Sequence, residues 1–506
     1  MAGFFVGEVL EEASRRHPKR DALIAGRVRL TWAELADGTR RLARHLEVEK
    51  IGPGDRVGLL LPNSAAFALG YLATQAIGAV TTVLDVRLRG RELAKIIRDA
   101  DLRLLVTHAE LLPSIRGVLE QAGDLPLWIV EGAGEDGFER RLEGPAAPLP
   151  APRIRGDDDA VILYTSGTTG EPKGVVLTPG NLARFPGCVS EYLHTRESEV
   201  IGLVLPMSHI SGPVWLNEVV ARGSALVVIE QFSPVALLEG IQRHGITLFS
   251  GVPVLFQLML DLLARRRFDT SSVRVVAMMG STVPLPLLRA YRDAQPHSVV
   301  TQGYGLTETS PLITLLDEAH ASEKLGSIGR PAPGALVKLV DDAGAEVPVG
   351  EVGEIATRGP HVMKGYFRKP EATAERIRDG WLYTGDVARR DEDGFYYHLG
   401  RKDDLIISGG LNVYPAEIED ALSERPDVQE AAVYAIPDAR RGEVIGVAVV
   451  PRGDAAPSER ELLEYLRANL ASYKVPREIQ LRESLPRNPT GKVMREALRR
   501  PPGDAG

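Results

Sequence analysis

An α/β protein built from several lobes is the fold the sequence predicts, and three observations predict it. The chain has 506 residues, too many for one ordinary core, so two or three domains are expected. Through the first three quarters, short β-branched apolar runs alternate with stretches of helical apolar periodicity. Such alternation points to largely parallel sheets covered by helices. Past about residue 325, shorter strands separated by Asp/Gly turns replace that pattern.

The elements follow in order. Thr31-Trp-Ala-Glu-Leu35 opens a helix to about Leu46, with Leu35, Leu42 and Leu46 on one face. A strand over 56–61 is bounded by Pro53-Gly54 and Pro62-Asn63, and a helix over 65–77 and a strand over 79–84 follow. The alternation recurs at 224–229, 237–243 and 273–279. Gly144 to Arg155 is rich in Pro and Ala and reads as a surface linker. Strands at 336–340, 354–357 and 395–398 form a smaller β-rich unit over about 325–400. From residue 401, helices at 415–423 and 458–469 flank strands at 430–436 and 444–450, a compact α+β domain of about a hundred residues. The division is therefore 1–400 and 401–506.

Composition narrows the class. Hydrophobic residues at 44% and charged residues at 25% are those of a globular chain. A formal net charge of −8 gives no overall electrostatic footprint for nucleic acid, although a local basic groove for a phosphate-bearing ligand is compatible with it. The single cysteine, Cys188, excludes an intramolecular disulfide and a cysteine-based zinc cluster. The ten histidines show no metal-ligand spacing. The N-terminus lacks a basic n-region and a long apolar stretch, and no run of eighteen apolar residues occurs. The expectation is a cytoplasmic protein without an integral membrane segment. Its oligomeric state is left open, a homodimer included.

The strongest chemical signal is Tyr164-Thr-Ser-Gly-Thr-Thr-Gly-Glu-Pro-Lys-Gly174, after the apolar run 160–163. Glycines admit backbone N–H groups to an anion, hydroxyls add donors, and Lys173 adds charge, a set suited to a polyphosphate. It is not the Walker pattern, because two residues separate Gly170 from Lys173 and no Ser/Thr follows the lysine. A flexible surface loop is the bland alternative, and the ordered string argues against it. Gly132-Ala-Gly-Glu-Asp-Gly137 fits a dinucleotide fingerprint by spelling, but its two acids would repel a pyrophosphate, so it reads as a turn.

The loop Thr165 to Gly174 resembles the phosphate-binding loop of the adenylate-forming superfamily, which includes acyl- and aryl-CoA synthetases, luciferases and peptide-synthetase adenylation domains. The resemblance continues in order through Gln302-Gly-Tyr-Gly-Leu-Thr-Glu-Thr309, Tyr383-Thr-Gly-Asp386, Gly400-Arg-Lys-Asp-Asp404, Ser408-Gly-Gly-Leu-Asn-Val-Tyr-Pro415 and Pro486-Arg-Asn-Pro-Thr-Gly-Lys492. Weaker similarity reaches Gly54-Asp-Arg-Val57 and Pro62-Asn-Ser64, so it spans nearly the whole chain. It is nearest to the AMP-forming acyl-CoA synthetases. As fold it implies a large N-terminal domain of two βα-layered subdomains and a small β-barrel-like subdomain, followed by a small mobile C-terminal domain.

As chemistry, the resemblance implies that ATP and a carboxylic acid give acyl-AMP and pyrophosphate, and that the acyl group then passes to coenzyme A. A carboxylate attacking a phosphorus needs positive charge around the phosphates and little else. Thr165, Ser166, Gly167, Thr168, Thr169, Gly170 and Lys173 would then cradle phosphate, Thr307 would contact it, and Glu308 would hold Mg²⁺. Gly303 and Tyr304 would belong to the nucleotide site, with Tyr304 stacking on adenine. Gly280, Ser281 and Thr282 would line the adenine and acyl sites. Asp386 would accept hydrogen bonds from both ribose hydroxyls, and Arg401 would contact the nucleotide. Lys492 would reach the acyl carboxylate and the α-phosphate. It also resembles a lysine acetylated in some relatives, which would delete its charge and make an acetyltransferase a partner. Asp403 matches the hinge about which the C-terminal domain turns, withdrawing Lys492 and bringing in Ser408, Gly409 and Gly410 beside the pantetheine arm.

The acyl pocket is expected to include His209, Val214, Gly280, Gly303 and Leu306, mostly small or apolar, which favours an uncharged tail. Relatives commonly carry an aromatic where Ser208 stands, so pocket shape departs from the pattern. A fatty or related monocarboxylic acid is the first reading of the substrate. An aryl acid, or loading of an acid onto a carrier-protein pantetheine arm, stays open. Amino acids are disfavoured because 205–212 lacks the Phe-Asp pair that holds a substrate ammonium. A non-catalytic nucleotide-binding protein conflicts with the presence of Lys492, Glu308 and Asp386.

Overall fold

A computed structural model of the chain describes residues 5–123, 125–132, 134, 136–149, 154–166, 172–408, 411–438, 442–453, 456–487 and 493–498. Two large mixed sheets form the body. The seven-stranded sheet runs Gly365–Tyr366, Pro172–Leu177, Val161–Ser166, Val80–Val83, Arg56–Leu60, Leu104–His108 and Leu127–Val130. Its last five strands are parallel. The nine-stranded sheet has a parallel centre from Val299–Tyr304 across to Asp21–Ala25, with antiparallel pairs at both margins. The central strands are β-branched and buried on both faces, the pattern of a parallel sheet covered by helices.

One helix shows how the layers meet. Ala65–Ala76 is buried at every position, because it packs against strands of both sheets as well as neighbouring helices. A helix apolar all round belongs in such an interior layer. Ser64 starts it by accepting a hydrogen bond from the Phe67 N–H at 3.2 Å. The helix predicted from Thr31 runs Trp32–Val48, started by a capping box in which Thr31 and Glu34 satisfy each other's backbone N–H.

The β-rich unit is a five-stranded antiparallel sheet. Val352–Arg358 pairs with Leu336–Val340 on one side and Trp381–Arg390 on the other, and Trp381–Arg390 also pairs with Tyr396–Arg401. The single turn Lys402–Asp404 leads into the C-terminal unit. There a second five-stranded sheet, centred on Val428–Asp438 and Gly442–Pro451, carries helices Pro415–Ser423 and Glu459–Asn469 over its own apolar core. The expected α/β body with a separate α+β C-terminal domain is thus the observed architecture.

Candidate active site

One cleft of about 1040 Å³ opens where the body, the β-rich unit and the C-terminal unit meet. Carboxyl ends of parallel strands deliver residues to it, as open α/β sheets do. Val161–Ser166 brings Thr165, Val275–Met278 leads to Gly280, and Val299–Tyr304 leads through Gly303 to the turn Thr307–Thr309.

The two ends of the predicted phosphate loop lie on paired antiparallel strands. Thr165 pairs with Lys173 and Ser166 with Pro172. Gly167, Thr168, Thr169 and Gly170 lie outside the described residues. Among the described residues the motif is thus flanked by a strand on each side, unlike the strand-then-helix flanks of a P-loop.

Glu308 is fixed twice by one segment. Its backbone carbonyl accepts from Met363 N–H at 2.8 Å, and its Oε1 accepts from the Tyr366 hydroxyl at 2.9 Å. Burial, reinforced by Glu308, pushes the Tyr366 phenol up, so it remains a donor. The Lys173 ammonium lies 5.4 Å from the centre of the Tyr366 ring. Tyr366 reaches this place because Gly365–Tyr366 pairs with the hairpin strand Pro172–Leu177.

At the side of the cleft formed by the β-rich unit, Asp386 is buried, accepts from the Tyr304 hydroxyl at 2.6 Å and faces Arg401 Nε at 3.2 Å. Burial opposes its charge, but His398, Arg401 and Tyr304 outweigh that and hold the carboxyl below its usual range. Gly385 and Arg401 face the cleft. The His398 ring lies 5.5 Å from that of Tyr304, and its Nδ1 is 3.2 Å from the Thr282 hydroxyl. Ser281 and Thr282 are exposed just past the strand Val275–Met278.

One part of the cleft, where the acyl pocket is expected, is mainly apolar. Val214, Leu306, Met279 and Leu312 line it, with Phe185 and Trp215 meeting edge to face at 5.0 Å. Trp215 is fixed by donating its Nε1–H to the Ser250 hydroxyl at 3.2 Å. His209 stands at the rim with Nε2 3.2 Å from Arg87 Nη2. A guanidinium always donates, so His209 Nε2 accepts and the ring is neutral. Burial pushes His209 below the ordinary imidazole range, with Asp85 opposing and Arg87 assisting. Ser208 is buried.

Asp403 lines the cleft from the Lys402–Asp404 turn, as does Arg487 from the C-terminal unit. Arg487 pairs with Val493, so the two residues closing the stretch that contains Lys492 lie side by side. Lys492, Gly409 and Gly410 themselves lie outside the described residues, while Ser408 is buried on the strand Ile406–Ser408. The sequence reading missed Tyr366, Arg376, His398, Arg87 and the Phe185–Trp215 pair. Except for Arg376, each meets a partner distant in the chain, and no local pattern marks any of them.

Among the described residues no three His, Cys, Asp or Glu side chains converge as a metal cage. Glu308, fixed at the cleft, fits instead a cation held by one carboxylate and the substrate's own phosphates.

The cleft belongs to a protein of the adenylate-forming class, as comparison with known proteins shows. The family model described as AMP-binding enzyme matches residues 10–367, and that of the AMP-binding enzyme C-terminal domain matches 417–492. Feruloyl-CoA synthase of Amycolatopsis sp is 38% identical, covering 96% of this chain and 97% of the relative. A long-chain-fatty-acid–CoA ligase of Mycobacterium tuberculosis is 34% identical, covering 98% of both. The crystal structure of an anthranilate CoA ligase in complex with anthranoyl-AMP superposes with a TM-score of 0.92 at 27% identity, covering 99% of this chain and 97% of that one. The chain belongs to the AMP-binding enzyme family.

Proposed function

We propose that this AMP-forming acid–CoA ligase activates a monocarboxylic acid whose tail is uncharged and about the size of an aromatic ring. The observation that carries the reading is the stretch of cleft lined by Val214, Met279, Leu306 and Leu312, with the Phe185–Trp215 pair against it and Trp215 pinned to Ser250. A fixed tryptophan does not yield to a long flexible chain, and packed aromatic side chains favour a flat partner. The similarity to feruloyl-CoA synthase and to an anthranilate ligase supports the same class. Turnover of benzoic, cinnamic and C4 to C16 fatty acids, read by pyrophosphate release, tests it. Higher kcat/KM for the ring acids is expected; a maximum at C12 or beyond would refute it.

In this reading Thr165, Lys173 and Thr307 bind and orient the triphosphate, and Glu308 holds Mg²⁺, which supplies charge neutralisation there. Arg401 and Asp386 hold the ribose side, Tyr304 borders adenine, and neutral His209 guards the acyl rim without adding a second charge. Lys492 carries the cation that steadies the forming bond between acid and α-phosphate. The pairing of Arg487 with Val493, and the position of Arg487 in the cleft wall, support a C-terminal unit seated for this first step. Lys492→Ala is expected to abolish adenylate formation and spare thioester formation from supplied acyl-adenylate; equal loss of both would remove the assignment.

A further inference from the structure

The cations that line the cleft differ in how their charge is met. Arg401 pairs with Asp386, Arg87 with Asp85, Lys402 with Asp342 and Glu354, and Arg487 with Glu430. Lys173 and Arg376 have no carboxylate within ion-pair range among the described residues. Arg376 ends the helix Pro370–Arg376 and is only partly exposed. Its Nη2 donates to the Thr384 carbonyl at 2.6 Å, and its positive charge acts on the Tyr366 phenol, opposing the upward push of burial and Glu308. Its Nε is buried and has no partner among the described residues. The nearby Glu354 is already spent, accepting from Gly385 N–H at 3.0 Å and pairing with Lys402.

A half-buried guanidinium without a counter-ion is costly unless an anion completes it. Here it faces a cleft built for a polyanion, and its neighbour across Tyr366 is Lys173. Glu308, Lys173 and Arg376 therefore gather around one tyrosine: the carboxylate on its hydroxyl, the ammonium against its face, the guanidinium close enough for its charge to act on the phenol. Gly385 keeps the approach open, since a Cβ there would lie 3.5 Å from Arg376 Nη1 and 3.3 Å from Arg401 Nη2.

We propose that Arg376 binds the β- and γ-phosphates of ATP and the departing pyrophosphate. In the first step a carboxylate oxygen of the acid bonds to the α-phosphorus as the bond from that phosphorus to the bridging oxygen breaks. The electron pair leaves on pyrophosphate, and a guanidinium there meets the charge where it accumulates. The proposal rests on the use of ATP by this site and not on the identity of the acid.

Calorimetric titration of ATP, pyrophosphate and AMP, with no acid present, tests it on the wild type, Arg376→Gln and Arg376→Lys. Glutamine keeps a donor for the Thr384 carbonyl but removes the charge. Its expected effect is weaker binding of ATP and pyrophosphate by about tenfold or more, with AMP within about twofold, and partial recovery in the lysine variant. Unchanged pyrophosphate binding, or equal weakening of AMP and ATP in both variants, would overturn it. Should the glutamine variant lose AMP through misfolding, the lysine variant decides: pyrophosphate binding weakened with AMP intact supports the assignment, and pyrophosphate binding unaltered refutes it. Because no acid enters these titrations, failure here is distinct from failure of the substrate reading.

Discussion

At the scale of single residues, the site depends on a glycine that admits no Cβ and on a tyrosine whose hydroxyl holds a carboxylate. Gly305 begins the turn that carries Thr307 and Glu308, and a Cβ there would stand 1.6 Å from the Pro311 carbonyl oxygen. That oxygen belongs to backbone and cannot swing aside. Gly305→Ala is expected to cost about 3 kcal/mol and displace the turn, seen as a lower unfolding midpoint together with lost ATP binding. Tyr366→Phe is the milder change. It keeps the ring beneath Lys173 but removes the bond to Glu308 at 2.9 Å. A hydrogen bond to a charged group contributes about 1.5–3 kcal/mol, so adenylate formation is expected to fall about tenfold or more. Because Tyr366 acts by positioning Glu308, the half-saturating Mg²⁺ concentration should rise as well, which a purely structural role would not produce. Residues of this kind mark where sequence reading stops. Thr165, Lys173 and Glu308 were legible because each sits in a short ordered string of chemically coherent neighbours. Tyr366 lies 58 positions from the carboxylate it holds, and only the pairing of its short strand with the phosphate hairpin brings them together.

At the scale of elements, the turn Lys402–Asp404 separates two sets of tethers. On one side Lys402 Nζ pairs with Asp342 at 2.7 Å and Glu354 at 3.2 Å, both in the β-rich unit. On the other, Asp404 pairs at 3.3 Å with Arg495, which also holds Glu419 at 2.8 Å within the C-terminal unit. Asp403, between them, pairs with neither side among the described residues, which supports the hinge proposed there. A 3₁₀ turn already uses φ near the value that proline imposes. Asp403→Pro is therefore expected to favour the present orientation, slowing thioester formation about tenfold or more while the first turnover of pyrophosphate release stays within about threefold. Rapid-quench measurement of both half-reactions checks it; equal slowing would place the hinge elsewhere. The elements themselves were readable from period and turn residues, and the helices from 31, 65, 415 and 458 stand within a few positions of expectation. Sheet order was not. Asp21–Ala25 lies beside Ala225–Val228, some two hundred residues on, because local alternation defines a strand without naming its neighbour.

At the scale of the whole molecule, the seam between the body and the β-rich unit carries a buried histidine whose protonation should loosen it. The segment 360–363 crosses that seam. Asn181 from the body donates to the carbonyls of Pro360 at 2.9 Å and Val362 at 2.8 Å, and Met363 N–H holds the Glu308 carbonyl. Between them His361 is 4% exposed. Thr357 gives its hydroxyl proton to the Leu336 carbonyl at 3.0 Å, so it accepts from His361 Nε2 at 2.8 Å. His361 Nδ1 is then the bare nitrogen, buried and without a partner among the described residues. Protonating it would create an unmet donor and a buried charge near Arg184, and burial first, then Arg184, pushes its pKa down to about 4. The unfolded chain takes up this proton near pH 6.5 and the folded chain only near pH 4, so between those values unfolding binds more protons. The stability tied to neutral His361 is complete above about pH 6.5, declines as the pH falls, and levels off below about pH 4 after a loss of roughly 3 kcal/mol. Urea unfolding at steps from pH 7 to pH 4 should show that decline in the wild type and a flatter profile in His361→Gln, which has no proton to gain. Since the same segment holds the Glu308 turn, nucleotide binding should weaken along the same acid limb in the wild type and less in the variant. Parallel profiles for the two proteins would assign the acid sensitivity to other groups.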